Sequence, residues 1–248
     1  MEVNELVATR SCHHGDFEAP NELAAALRVS AAFPEIDVFE IDFVCDGTRI
    51  VSSHDYASEA IARGSALPEW IEAIVVERGR TLWLDVKENL DIQFAWAYGK
   101  FDAALLFTQL AEAGKKWGLE RLRHRIWVGC QEAALRRTLM KGCETNGWHF
   151  ILDMPSASAY VCQMVTPRCC VPQLNAFVDR QMHATNYHQC DIISIDKDFF
   201  KGSKELKRFV AALNLRPGVI VVLNSFPRSQ SPLLLEDHRI VMQYDYTA

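Results

Sequence analysis

The chain has 248 residues, 49% of them hydrophobic and 23% charged, a composition that supports a large buried core and excludes disordered and collagen-like classes. Its formal net charge of -6 disfavours nucleic-acid or anionic-membrane binding by bulk electrostatics, because such binding needs a basic surface. The start, MEVNELVATR, lacks a signal-peptide pattern, and no run approaches the ~20 apolar residues of a transmembrane helix, so we predict a cytoplasmic protein.

Short apolar or β-branched runs recur along the chain, with helix-patterned segments between them. The runs are ELVATR, DVFEIDFV, TLWLDV, RIWVGC, HFILDM, DIISID, GVIVVLN and RIVMQY. Strands that are apolar on both faces are typical of parallel sheets covered by helices. The eight repeated units predict an α/β fold, a closed (β/α)8 TIM barrel, as a single domain over residues 1–248. An open doubly wound sheet is the alternative.

One additional element follows the second run. The segment DFVCDGTRIVSSHDY contains Asp46 and Gly47, a dipeptide typical of tight hairpin turns, followed by the short run RIVSS. We therefore predict a small β-hairpin that returns the chain to the end of strand 2, with His54 at its tip.

The eight cysteines are predicted to be free and mostly buried thiols, because none shows the C-x-x-C spacing of a metal site. A chain of this size also folds without disulfides.

Ionisable side chains are predicted to point into the barrel from two strands. Because side chains alternate along a strand, Glu40 and Asp42 of FEIDF lie on one side. In LWLDVKEN the same rule places Trp83, Asp85 and Lys87 toward the barrel interior or its mouth. Three converging carboxylates need a cation or raise one another's pKa, and oxygen ligands suit Mg²⁺ or Ca²⁺. Unrelated surface salt bridges are the alternative.

Two histidines are placed where a barrel collects its catalytic groups. His13 ends the first strand and His54 the hairpin, and an imidazole titrates near neutrality, so the two are candidates for general acid and base. The other histidines outside the HH pair are expected to be structural or surface residues. Five polar residues at the ends of later runs fit the same face of the barrel: Gln131, Asp153, Asp196, Asn224 and Asp245. A helix cap or a loop position is the alternative for each of them.

The segments CHHGDFEAPNELAAAL, FEIDFVCDGTRIVSSHDY and LWLDVKE share an order of motifs with one known family. They resemble the glycerophosphodiester phosphodiesterases, a family of phospholipase C-like barrels. The resemblance is specific over residues 5–90 and rests on the order of strands beyond them. It implies a metal-dependent phosphoric diester hydrolase that acts on a glycerophosphodiester or a related phospholipid-derived diester.

The resemblance also implies a role for each matching residue. His13 and His54 match the catalytic pair, and Lys87 matches a lysine that faces the phosphate. Three acids match the ligands of one divalent cation, Mg²⁺ or Ca²⁺: Glu40, Asp42 and Asp85.

Two departures from the family pattern concern the substrate. His14 stands where the family has an arginine, which removes a bidentate phosphate clamp; we assign His14 as its replacement in substrate binding, with packing as the alternative. The connection from His54 to Asp85 is too short for the usual cap subdomain and is more like that of the sphingomyelinase D branch.

Three functions therefore stay open from the sequence. If water attacks phosphorus, the protein is a hydrolase. If a substrate hydroxyl attacks, it is a sphingomyelinase D-like or phosphatidylinositol phospholipase C-like lyase that forms a cyclic phosphate. The third possibility is a noncatalytic barrel that binds a phosphodiester.

Overall fold

The computed structural model describes residues 9–13, 19–54, 56–87, 101–130, 133–153, 192–196, 220–227 and 239–245. Its strands, in chain order, are β1 (Thr9–Cys12), β2 (Ile36–Cys45), β3 (Ile50–Ser52), β4 (Thr81–Val86), β5 (Ile126–Gly129), β6 (His149–Asp153), β7 (Ile192–Asp196), β8 (Ile220–Pro227) and β9 (Arg239–Asp245). Each of the eight predicted runs overlaps one of the parallel strands, and β3 lies in the predicted hairpin.

The sheet closes on itself. β1 pairs in parallel with both β2 and β9. The remaining parallel strands complete the ring from β9 to β2 in the order β8, β7, β6, β5, β4. β3 lies outside this ring and pairs antiparallel with β2 only. The predicted (β/α)8 barrel is confirmed, and the open doubly wound sheet is wrong, because an open sheet would leave β1 and β2 unpaired with each other.

In the described part of the chain, helices follow β1, β3, β4 and β5. They are α1 (Leu23–Ala32), α2 (Ser58–Arg63), α3 (Leu67–Trp70), α4 (Ala103–Trp117), α5 (Leu119–Arg123) and α6 (Ala133–Asn146). α3 continues directly into a π-helix, Ile71–Glu77, where the sequence predicts ordinary helix. The helix-patterned segments between β6 and β9 lie outside the described residues.

The predicted alternation of side chains separates two apolar layers. Phe39, Ile41 and Phe43 pack outward against the helices, and the Phe43 ring meets Trp70 edge to face with centroids 6.2 Å apart. A second cluster fills the barrel interior: Val38, Trp83, Trp127, Ile151, Ile192, Val222 and Val241. This interior is a packed core and supports the polar residues at the strand ends above it.

The hairpin begins where β2 extends past its barrel partners. Asp46 Oδ1 accepts hydrogen bonds from the backbone N–H groups of Thr48 and Arg49 at 2.9 and 2.7 Å. Gly47 has a φ of 95°, which glycine adopts without strain. The tip is therefore the turn at residues 46–49, and the prediction that places His54 there is wrong. His54 lies instead at the open end of the hairpin.

We expect Asp46→Ala to lower the free energy of unfolding by about 1–2 kcal/mol, because it removes the acceptor for both turn amides. Burial opposes ionisation, but the hydrogen bonds from Thr48 and Arg49 outweigh it and lower the Asp46 pKa below 3.8. This stabilisation is complete above the unfolded-state pKa and is lost as the pH falls through the lower folded-state pKa. Urea unfolding of both proteins should therefore show a difference at pH 7 that shrinks in acid; a difference independent of pH would contradict this account.

Four of the cysteines lie in described segments, and all four are buried free thiols: Cys12, Cys45, Cys130 and Cys143. Within the described ranges, no helix has the length and apolar character that a membrane span requires. The single domain over residues 1–248 and the location of the protein in the cell stay predictions.

Candidate metal and catalytic centre

Three carboxylates meet at the carboxyl end of β2 and β4. Asp42 and Asp85 are direct partners across these two strands, and Glu40 precedes Asp42 by two residues, so its side chain has the same direction. The three side chains offer oxygen atoms that all lie within 4.8 Å of one another. Their residues are buried, with exposures of 2% for Glu40, 0% for Asp42 and 4% for Asp85. The predicted convergence of these acids is what the structure shows.

Lys87 brings one positive charge to this group. Its Nζ lies 3.0 Å from Asp42 Oδ1 and donates a short hydrogen bond to Asp85 Oδ2. Burial by itself would lower the pKa of Lys87, but the charges of Asp85, Asp42 and Glu40 outweigh it and raise this pKa well above the usual value. Lys87 is therefore a permanent ammonium group at neutral pH.

The backbone of Lys87 is also held in place. Its N–H donates to the Phe43 carbonyl at 2.9 Å, which continues the pairing of β2 with β4 by one residue. Its own carbonyl accepts a hydrogen bond of 2.8 Å from the Tyr56 hydroxyl, which comes from the segment after the hairpin. The side chain thus starts from a fixed position, so its contacts with both aspartates are preorganised.

Asn21 also contacts Asp42, although no motif in the sequence indicates it. Its Nδ2 donates to Asp42 Oδ2 at 3.0 Å, and its Oδ1 accepts from the Asp42 backbone N–H at 2.9 Å. Asn21 is 4% exposed and has a left-handed φ of 59°, a conformation that asparagine tolerates better than most residues. The Ser52 hydroxyl donates to its carbonyl at 2.7 Å, so the hairpin fixes the residue that orients Asp42.

We expect Asn21→Gly to cost about 1–3 kcal/mol of stability, because it leaves the buried Asp42 amide without its acceptor. Asn21→Ala should lower stability by about 1–2 kcal/mol more than Asn21→Gly, because the left-handed backbone conformation is unfavourable for alanine and not for glycine. Urea unfolding in EDTA measures both. Equal losses in the two variants would show that the backbone conformation of residue 21 contributes nothing.

The two predicted catalytic histidines lie at the same end of the barrel. His13 Nε2 is 3.5 Å from Glu40 Oε2, and the His13 side chain is 44% exposed. His54 is exposed and follows Ser53, whose N–H donates to the Asp42 carbonyl at 3.0 Å. The chain therefore brings His13 beside Glu40 and returns His54 to the level of Asp42, with the imidazoles accessible to a substrate.

The other predicted polar residues are placed less fully. His14 and Gln131 lie outside the described residues. The backbones of the remaining four lie in the last strands of the barrel, and Asp196 pairs in register with Asn224: Asp153 in β6, Asp196 in β7, Asn224 in β8 and Asp245 in β9.

The acid cluster has the chemistry of a divalent-cation site. Three carboxylates against one ammonium leave a formal charge of two negative units, which a divalent cation would balance. Burial makes such an imbalance costly without a counter-ion. Oxygen ligands alone favour hard ions such as Mg²⁺ and Ca²⁺ over softer metals. Glu40, Asp42 and Asp85 therefore fit the cation that the sequence predicts.

Comparisons with known proteins agree with the barrel. No protein-family model and no curated protein matches the chain. A solved glycerophosphodiester phosphodiesterase from Agrobacterium tumefaciens is 12% identical, with 98% of this chain and 100% of that chain covered and a TM-score of 0.56. A glycerophosphoryl diester phosphodiesterase from Parabacteroides distasonis is 14% identical, with 96% and 83% covered and a TM-score of 0.52. This chain has their fold.

The resemblance seen in the sequence is thus confirmed at the level of the fold. The same barrel also matches the dihydropteroate synthase of Thermus thermophilus, at 11% identity and a TM-score of 0.51, with 98% of this chain and 90% of that chain covered. Because one barrel supports unrelated chemistries, the fold alone does not choose among them. The side chains at the strand ends carry the functional argument.

Proposed function

We propose that the protein is a metal-dependent phosphoric diester hydrolase of the glycerophosphodiester phosphodiesterase type. The observation that carries this proposal is the convergence of Glu40, Asp42 and Asp85 around the ammonium group of Lys87. A bound divalent cation supplies positive charge that stabilises the transition state of phosphoryl transfer. Structural neighbours named for the same reaction support the assignment.

The side chains of this protein divide the proposed reaction among them. Lys87 binds a nonbridging oxygen of the phosphate through its ammonium group, which the neighbouring acids keep protonated. His13, beside Glu40, accepts the proton of the attacking hydroxyl or water. His54 protonates the leaving oxygen. His14 remains the proposed substitute for the arginine of the family pattern.

Hydrolysis of bis(p-nitrophenyl) phosphate tests the proposal. We expect activity with Mg²⁺, Ca²⁺ or Mn²⁺ that EDTA abolishes. His13→Gln and His54→Gln should each lower kcat/KM by about 100-fold or more, because a general acid or base contributes a factor of that order. His124→Gln is the matched control, since His124 is exposed at the start of β5, at the opposite end of the strand from Gly129. Activity in EDTA, or equal activity in all three variants, would contradict the proposal.

The product distinguishes the two catalytic alternatives. With a lysophospholipid or a glycerophosphodiester as substrate, phosphorus NMR separates a phosphate monoester from a cyclic phosphate. We expect the monoester, from attack by water. A cyclic phosphate would assign the protein to the lyases instead, and saturable binding of diesters without turnover would make it a binding protein.

A further inference from the structure

A cleft of about 290 Å³ lies between Asn21, the end of the hairpin and α2. Its walls come from the start of α1, the end of the hairpin and the end of α2, and they include Asn21, Glu22, Ser52, His54, Arg63 and Gly64. Asn21 is also hydrogen-bonded to Asp42, so one wall of the cleft is shared with the acid cluster. His54, the proposed proton donor, is part of another wall.

The described lining of this cleft is mainly polar. Among the described residues that line it, the apolar side chains are limited to alanine and proline, with no leucine, isoleucine, valine, phenylalanine, tyrosine or tryptophan. Sites for lipid chains and other apolar ligands are lined mainly by large hydrophobic and aromatic side chains. The cleft therefore fits a small hydrophilic group.

Two opposite charges line the cleft without neutralising each other. Glu22 is the N-cap residue of α1, but its side chain accepts no hydrogen bond from the helix. Arg63 ends α2 and is exposed. In the part of the chain that the structure describes, neither side chain forms an ion pair with another residue.

The backbone next to Arg63 is held by close packing. The end of α2 lies directly on β3, where a Cβ added at Gly64 would come within 2.2 Å of the Ser52 carbonyl oxygen. The Ser52 hydroxyl in turn accepts the Ser65 N–H at 3.2 Å and donates to the Asn21 carbonyl. Glycine at position 64 therefore allows α2 to bring Arg63 to the same cleft as His54.

We infer that this cleft holds the leaving group of the substrate, and that this group is a small alcohol with both an ammonium and a carboxylate, as in serine. The inference rests on the proposed function, because the leaving oxygen must lie next to its proton donor, His54. The guanidinium of Arg63 pairs with the carboxylate of the alcohol, and Glu22 pairs with its ammonium. An amino acid alcohol would pair with both charges, whereas a neutral alcohol would pair with neither.

The reaction balances without any further reactant. The oxygen of water forms a bond to phosphorus as the bond from phosphorus to the serine oxygen breaks. His13 takes a proton from the water, and His54 gives a proton to the serine oxygen. From glycerophosphoserine the products are glycerol phosphate and free serine.

Kinetics on three water-soluble diesters tests the inference. We expect kcat/KM for glycerophosphoserine to exceed that for glycerophosphoglycerol by about tenfold or more, as expected for charge pairing in a partly enclosed site. Arg63→Gln and Glu22→Gln should each lower this ratio toward one. Arg137→Gln and Glu144→Gln, exposed residues of α6, are matched controls that should keep the wild-type ratio. Glycerophosphoethanolamine lacks the carboxylate, so its kcat/KM should fall more with Glu22→Gln than with Arg63→Gln.

Failure of the inference and failure of the proposed function give different results. If the wild-type protein hydrolyses all three diesters equally well, the inference is overturned and the proposed function stands. If it hydrolyses none of them with Mg²⁺, Ca²⁺ or Mn²⁺, the proposed function fails. In that case, calorimetric titration of the wild type and Arg63→Gln with glycerophosphoserine and glycerophosphoglycerol tests whether the cleft binds the serine group. Tighter binding of the serine diester that is lost in Arg63→Gln supports the inference. Equal binding of the two diesters, or no binding, overturns it.

Discussion

Asp85→Asn is expected to lower kcat/KM for a phosphodiester by about 10³-fold or more, because it removes one of three carboxylates that together fit a divalent cation. The same change should abolish the rise in thermal stability that Mg²⁺ or Ca²⁺ gives to the wild-type protein, since only binding to the folded state produces that rise. Both effects are measured on one preparation, by hydrolysis of bis(p-nitrophenyl) phosphate and by thermal unfolding with and without EDTA.

The fold itself should tolerate Asp85→Asn. The amide oxygen of asparagine can still accept the hydrogen bond from Lys87, and two carboxylates remain to balance one ammonium. Stability in EDTA should therefore be close to that of the wild type, which separates loss of the cation from loss of structure. Asp37→Asn is the matched control on the neighbouring strand β2, because Asp37 is half exposed and pairs with Arg80 at 3.0 Å. A variant that still responds to Mg²⁺ or Ca²⁺ would remove Asp85 from the site.

Local pattern was enough to predict most of the fold and part of this site. A strand places every second side chain on the same face, so Glu40 and Asp42 had to point the same way once β2 was a strand. That Asp85 lies level with Asp42 depends on the register of β2 with β4, and a slip of one residue would have turned it to the helices. The buried apolar residues on either side of Asp85 favour the observed register.

Contacts between residues that are far apart in the chain could not be predicted from the sequence pattern. Asn21 reaches Asp42 from a loop, through a left-handed backbone and a contact with Ser52 of the hairpin. None of these features leaves a periodic signal. The π-helix over Ile71–Glu77 was missed for a related reason, because the apolar spacing of that segment also fits an α-helix. The cleft at Arg63 required three separate segments to be assembled.

Lys87→Met should lower the free energy of unfolding by about 3–5 kcal/mol in EDTA, the usual cost of removing one partner from a buried ion pair. The Lys87 side chain is only 19% exposed and is the ammonium in contact with both Asp42 and Asp85. Without it, the three buried acids repel one another in a poorly solvated site. Urea unfolding measures the loss. Lys116→Met is the matched control, because that side chain is 61% exposed and lies 3.8 Å from Glu72, a surface pair worth about 0–1 kcal/mol.

Divalent cations and Asp85→Asn should each reduce the cost of Lys87→Met, because each lowers the uncompensated negative charge. Millimolar Mg²⁺ or Ca²⁺ should therefore stabilise Lys87→Met more than it stabilises the wild type. In a double-mutant cycle in EDTA, the loss caused by Lys87→Met should be smaller when residue 85 is asparagine, with a coupling of about 1–3 kcal/mol. Additive losses, with no response to cations, would mean that Lys87 stabilises the barrel through packing alone and that the acids do not form one electrostatic unit.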